Sequence, residues 1–240
     1  MITVITPTHH RPDTLYRCIK AIQRSTFQDY EHIVVADRCP YAKPVVDYVN
    51  DPRITYLETP YDRPENDGSI GKNIGIAAAK NDFICYCDDD NVLTEVALEA
   101  FIKGLKTEVD YTIGVRASIR LGWGDNSIKA IIDKPFLRYD IPELILPLDR
   151  DDMICYAHTK DCVTSVGGWK SVPEVGHNED GELIWRLHRA NKKYSIINDI
   201  ICIYYSHHGC DQPDTTYQEL LANLPKDQLF VYPELTTNIK

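Results

Sequence analysis

The sequence predicts an α/β fold, with a mainly parallel central sheet flanked by helices on both sides, and two observations carry that prediction. Over the first hundred residues, short apolar runs of strand length alternate with segments whose apolar residues recur at helical spacing. Such alternation is the mark of parallel strands joined by crossover helices. The apolar runs also end at polar groups, at Thr6 to His10, at Asp37 and at Asp88 to Asp90. In parallel sheets ligands bind beyond the carboxyl ends of the strands, so three separate segments are expected to converge on one rim.

Ile2 to Thr6 (ITVIT) reads as the first buried strand. In RPDTLYRCIKAIQRS, which follows, Leu15, Cys18, Ile19 and Ile22 share one helical face and Pro12 suits a first turn. Strands are expected over His32–Ala36, Arg53–Glu58 and Asp82–Cys87, with helices in KPVVDYVN and GKNIGIAAAK between them. LTEVALEAFIKGL is expected to be helical, with Thr94 as N-cap and Ala97, Phe101, Ile102 and Leu105 facing inward. Further on, Asp110 to Arg120 and MICYAHT read as strands, VGGWK as a turn, GELIWRLHRANKK as a helix and YSIINDIICIYYS as strand-rich. Periodicity is weak from Gly122 to Asp152, and the last thirty residues suggest a short helix and a tail. With no internal repeat or linker, residues 1–240 read as one domain of two functional halves, about 1–105 and 106–210, followed by a tail over 211–240.

A formal net charge of −10 argues against a general nucleic-acid binder or a binder of anionic membrane surfaces. No apolar run approaches a membrane span, and MITVITPT enters a strand pattern without the basic region and cleavage site of a signal peptide. The eight cysteines form no C-x-x-C pair and fall largely on apolar stretches, so they are expected to be reduced and structural in a cytoplasmic setting.

CDDDN, at the end of the fourth predicted strand, carries the chemistry. Asp and Asn favour turns, so the bland reading is a solvated strand end. Three carboxylates in a row on a ligand-binding rim suggest instead a partner of positive charge. Mg²⁺ or Mn²⁺ takes one or two carboxylates and completes its shell with substrate phosphates. A diphosphate about 4 Å from a carboxylate is repelled by roughly 4 kcal/mol at an effective dielectric near 20, and a divalent ion between them reverses the sign. Val92 and Leu93 break the EF-hand pattern, while Gly68, Gly71 and Gly75 fit neither the Walker spacing nor G-x-G-x-x-G. A P-loop ATPase and a nicotinamide enzyme are thereby disfavoured. A second acidic pair, Glu179 and Asp180, precedes a predicted helix, where carboxylates meet the positive end of the helix dipole.

Taken in order, TPTHHRPDTL, IVVADR, GKNIGIAAAKND, CYCDDDN, VGGWK and NEDGELIWRL resemble the family 2 glycosyltransferases over roughly residues 1 to 210. The resemblance implies a GT-A-type Rossmann-like fold with a nucleotide-sugar-binding half and an acceptor-binding half. It implies that Thr6, Pro7, Thr8 and Asp37 surround the nucleotide, that Lys72 and Asn73 face it, and that Asp88 or Asp89 reaches the ribose or metal. Asp90 would be the principal metal ligand, with Asp88 beside it, and His207 or His208 would reach the metal or diphosphate. Asp180, or failing it Glu179, would be the base that removes the acceptor proton. The sequence departs from the family in two places: Ala36 stands where an acidic residue is commoner, and Lys72 stands where arginine is.

The expected activity is metal-dependent, inverting transfer of a sugar from a nucleotide sugar to a hydroxyl acceptor. The cofactor would be Mn²⁺ or Mg²⁺ and the donor a UDP-sugar, with a GDP-sugar as the other option. Alternatives are a nucleotidyltransferase of related fold, which TPTHHRPDTL disfavours by having no glycine, and a catalytically silent sugar-nucleotide or glycan-binding module. Trp169 is either a platform for an acceptor sugar or core, and His9 and His10 read as exposed rim residues.

Overall fold

β1 (Ile2–Thr8) is the central strand from which the sheet grows in the computed structural model, which describes residues 1–61, 67–121, 128–133, 153–176 and 178–205. All of β1 except Pro7 is buried. The chain then builds outward through α1 (Pro12–Gln23), β2 (Tyr30–Ala36), α2 (Ala42–Val49) and β3 (Ile54–Glu58), and returns through α3 (Gly68–Ala78) to β4 (Phe83–Tyr86) on the other side of β1. β3, β2, β1 and β4 pair in parallel. The strand order therefore reverses at the β1–β4 pair, which is where an open parallel sheet leaves a crevice at its carboxyl edge. Thr8 and Asp88 stand at that edge.

The helices follow the sequence pattern. α1 opens with Pro12 in its first turn and buries Leu15, Cys18, Ile19, Ala21 and Ile22. α3 crosses close over β1: a Cβ on Gly75 would come within 2.5 Å of Ile5 Cγ2, so only glycine permits this approach. α4 (Ala97–Leu105) buries Ala97, Phe101, Ile102 and Leu105 as expected. Its N-cap is Val96 rather than Thr94. The Thr94 hydroxyl instead donates to the Ile200 carbonyl at 2.7 Å, because β5 (Val92–Leu93) intervenes as a two-residue strand against β9 (Tyr194–Tyr205).

Beyond β4 the sheet is mixed. β8 (Tyr156–Thr159) runs antiparallel to β4 and to β6 (Tyr111–Leu121), whereas β6 and β9 are parallel. β7 (Ile128–Asp133) pairs antiparallel with β6, inside the stretch of weak periodicity. The parallel character read from the sequence thus belongs to the first four strands of the path. MICYAHT divides into a 3-10 turn, Met153–Cys155, and β8. α5 (Lys160–Thr164), α6 (Val172–Val175) and α7 (Glu179–Arg189) complete the described helices. Seven cysteines are free and buried, and no helix among the described residues is long and apolar enough to cross a membrane. His207, His208, Cys210 and the tail over 211–240 lie outside the described residues.

Candidate active site

The carboxyl ends of β1, β2 and β4, the N-terminus of α3 and the start of α7 enclose a cleft of about 240 Å³. Pro7, Thr8, Asp37, Lys72, Asp88, Asp90 and Glu179 all line it, so most of the residues picked from the sequence share one cavity. Asp180 joins them through Lys72, whose Nζ lies 3.7 Å from Asp180 Oδ1 and 3.6 Å from Asp88 Oδ1.

The three aspartates form a hydrogen-bonded turn, Asn91 N donating to the Asp88 carbonyl at 3.0 Å, and their side chains diverge. Asp89 is turned away from the cleft and fully buried. It accepts from the Thr8 hydroxyl at 2.6 Å and pairs with Arg11 at 2.9 Å. Burial pushes its carboxyl up to about 7, against the opposing pull of Arg11 and the Thr8 hydrogen bond. Asp90 faces the cleft with Oδ2 paired to Arg11 and Oδ1 accepting from the Asn91 amide at 3.0 Å. Asp88 also faces the cleft, and its buried Oδ1 accepts no hydrogen bond.

No group of three or more His, Cys, Asp or Glu side chains converges as a metal cage among the described residues. The donor set nevertheless fits Mg²⁺ or Mn²⁺. Two carboxylates, one with an oxygen lacking a hydrogen bond, open onto a cleft with room for phosphate oxygens as the remaining ligands. Asp88 is the less encumbered of the two, and Asp89, expected to reach ribose or metal, is buried outside the cleft lining against Thr8 and Arg11.

Asp37, expected at the nucleotide, is 6% exposed and follows β2 at the cleft wall. Oδ1 accepts from the Thr59 hydroxyl at 2.6 Å and Oδ2 from Asp67 N at 3.3 Å, which fixes the carboxylate at the cleft wall. His9 Nδ1 donates to the Asp37 carbonyl at 2.9 Å, so His9 is partly buried, while His10 is exposed. Two residues expected at the nucleotide are turned elsewhere. The Thr6 hydroxyl is buried at 2.9 Å from His32 Nε2, because strand alternation sends it below the rim. Asn73 holds the VGGWK turn: its Nδ2 donates to the Trp169 carbonyl at 2.8 Å and its Oδ1 accepts Trp169 N at 2.9 Å. Gly168 at φ +74° and with Asn73 Oδ1 2.8 Å from any Cβ position makes that approach possible.

Trp169 is core rather than an exposed platform. It is 3% exposed, and its Nε1 donates to the Tyr86 hydroxyl at 2.9 Å. The hydroxyl in turn meets His158 Nε2 at 2.7 Å, and His158 Nδ1 donates to the Thr159 carbonyl at 2.8 Å. With Nδ1 carrying the ring proton, Nε2 accepts and Tyr86 donates. The outer face of the indole supports Lys72, whose Nζ is 4.3 Å from the ring centroid.

Arg11 and Asp67 were not singled out from the sequence. Arg11 stands in TPTHHRPDTL at an acidic rim, so its charge was the available signal. Asp67 precedes Gly68 and Ser69 as the N-cap of α3, accepting from Ser69 N with Oδ1, and its Oδ2 accepts Val172 N at 2.9 Å. It thereby ties α3 to the segment leading into α7.

The Glycosyl transferase family 2 model matches residues 3–158. Among curated relatives, the GalNAc(5)-diNAcBac-PP-undecaprenol beta-1,3-glucosyltransferase of Campylobacter jejuni is 35% identical over 106 residues, 42% of this chain and 33% of that protein. The glycosyltransferase GlyG of Streptococcus pneumoniae is 28% identical over 120 residues, 48% of this chain and 38% of its own. The chain thus spans little more than a third of the length of these relatives. Among solved structures, S. aureus TarS residues 1–349 in complex with UDP aligns with a TM-score of 0.64 at 15% identity, over 85% of this chain and 60% of that one. The UDP-GlcNAc complex of the same fragment aligns with a TM-score of 0.64 at 16% identity, over 87% and 59%. At these identities the likeness is one of fold.

Proposed function

The chain belongs to glycosyl transferase family 2, and from that membership we propose that it transfers a sugar from a UDP-sugar to a hydroxyl acceptor with inversion at the anomeric carbon. The carrying observation is that Asp88 and Asp180 flank one ammonium, Lys72, in one cleft. A donor-side carboxylate and a candidate base then lie on either side of one ammonium, beside the cleft that a sugar diphosphate would occupy. TarS, whose fold this chain shares, binds UDP and UDP-GlcNAc, which supports uridine over guanosine as the donor base.

In this reading Asp37 and Pro7 flank the nucleotide and Lys72 faces the diphosphate. Asp88 and Asp90 would hold Mn²⁺ or Mg²⁺, which when bound offsets charge on the departing diphosphate. Asp180 accepts the acceptor hydroxyl proton as the oxygen bonds to the anomeric carbon. The bond from that carbon to the diphosphate oxygen breaks on the opposite face, and UDP leaves with the electron pair. Glu179 lines the cleft one residue earlier and is the second candidate for the base. Both acids lie in the first turn of α7.

Nucleotide release from a panel of UDP- and GDP-sugars, measured with Mn²⁺ or Mg²⁺ and again in chelator, tests the reading. A UDP-sugar is expected to turn over only with metal, and Asp180→Asn to lower turnover by about 10²–10⁴-fold. Binding without release from any donor would make the chain a silent nucleotide-sugar module. Full turnover in chelator would remove the metal from the scheme.

A further inference from the structure

Lys72 occupies an unusual place for a lysine. It is 5% exposed, its Nζ is nearly equidistant from Asp88 Oδ1 and Asp180 Oδ1, and neither separation is that of a tight hydrogen bond. The ammonium also packs on the Trp169 indole at 4.3 Å, with the Tyr86 ring at 5.8 Å. Its neighbour Asn73 clamps the backbone of Trp169 through both its amide atoms, so α3 and the turn leading toward α7 are tied together at this point. The Lys72 ammonium therefore stands between a donor-side and an acceptor-side carboxylate, over a platform that Asn73 ties to α3.

We infer that Lys72 couples the donor pocket to the base: its ammonium is shared between Asp180 and the donor's diphosphate, so that donor binding releases Asp180 to take the acceptor proton. This rests on the UDP-sugar reading above. A diphosphate beside Asp88 and Asp90 carries more charge than the single carboxylate of Asp180 and competes for the same cation. As the ammonium moves toward the phosphates, Asp180 loses a neutralising partner and becomes the better proton acceptor. The device favours removal of the acceptor proton once a donor is in place. Linkage makes the effect reciprocal, since the hold of Asp180 on Lys72 must weaken the binding of a diphosphate by the same factor.

That reciprocity is measurable without turnover. UDP affinity at fixed Mg²⁺ is determined by titration calorimetry for the wild type, Asp180→Asn, Lys72→Met and the double variant, with melting curves to establish folding. Asp180→Asn is expected to bind UDP about three- to tenfold tighter than wild type. In the Lys72→Met background the same change is expected to shift affinity by less than about twofold, because the competition for the ammonium is gone. Equal tightening in both backgrounds would assign the effect to the direct field of Asp180 and overturn the coupling. So would unchanged affinity in Asp180→Asn. Absence of UDP binding by folded wild-type protein would overturn the donor reading and the coupling together. Lys72→Gln serves in place of Lys72→Met if the latter does not fold.

Discussion

Arg11 and Lys72 each stand between two aspartates at the same rim, yet they are held in different ways. Arg11 pairs with a fully buried carboxylate, Asp89, at 2.9 Å and bonds directly to Asp90. Lys72 lies 3.6 and 3.7 Å from its two aspartates and leans on an aromatic face. A guanidinium is a rigid planar fork suited to fixing two carboxylates, whereas an ammonium is a rotatable point charge that can change partners. The difference assigns the three consecutive aspartates distinct work. Asp89 and Arg11 lock the turn, which leaves Asp88 and Asp90 aimed into the cleft, and Lys72 supplies the movable charge.

If Arg11 is the lock, removing it should cost stability before anything else. Arg11→Met leaves Asp89 buried with only the Thr8 hydroxyl, and breaking a buried pair from one side costs about 3–5 kcal/mol. Arg11 is partly exposed and the Asp89 carboxyl can take a proton, so the expected loss is about 3 kcal/mol in urea unfolding. A loss under about 0.5 kcal/mol would mean that Arg11 is no lock and erase the contrast.

Acid supplies a further test, because the core holds two buried neutral histidines, one of them bonded to the Tyr86 hydroxyl on the Lys72 side. Burial lowers His32, beneath Thr6, to about 3, and lowers His158, behind Tyr86, to about 4. Both are bases whose folded pKa lies below the unfolded value near 6.5. The unfolded chain therefore takes up the extra protons first, and stability is lost as pH falls below about 6.5. Asp89 acts in the opposite sense. Its folded pKa, near 7, lies above the unfolded 3.8, so the folded protein takes the extra proton and gains stability over the same window. His32 and Asp89 offset each other, and His158, bonded to Tyr86 on the Lys72 side, is left uncompensated. In metal-free buffer between about pH 6 and 4.5 these three groups should produce a net loss approaching 1.4 kcal/mol per pH unit, or about 2 kcal/mol in all. Chemical denaturation at several pH values measures the slope. A slope near zero would mean that the Lys72 side is compensated as well.

The same contrast explains what was legible in the sequence. α1, α3, α4 and the first four strands declare themselves through local periodicity, and the rim residues through their position at strand ends. The mixed half of the sheet does not: β8 joins β4 by antiparallel pairing of Phe83 with Thr159, and a contact that distant leaves no local signal. The site shows the same boundary. That Asp37 and Asp88 to Asp90 belong together followed from topology, and Lys72 joined them through the family resemblance. That Asp89 and Thr6 turn inward and that Asn73 serves Trp169 depended on pleat and packing. Arg11 meets Asp90 across 79 positions of the chain, so its charge was visible while its partner was not.

The last of the three effects tests whether the platform under Lys72 is as built as the lock around Arg11. Tyr86 accepts from Trp169 and donates to His158 with no solvent nearby, so its hydroxyl satisfies two buried groups at once. Tyr86→Phe keeps the ring against the indole and deletes only the oxygen, leaving Trp169 Nε1 and His158 Nε2 unsatisfied in the core. An unsatisfied buried donor or acceptor costs about 1–3 kcal/mol, and relaxation of the ring toward the vacated space should keep the loss near 2 kcal/mol. Urea unfolding measures it. If the chain Trp169–Tyr86–His158 also sets the height of the indole under Lys72, the UDP affinity gain of Asp180→Asn should shrink in the Tyr86→Phe background. A stability loss with the full gain retained would confine the hydroxyl to the core, and Lys72 would then owe its position to Asn73 and its own stem.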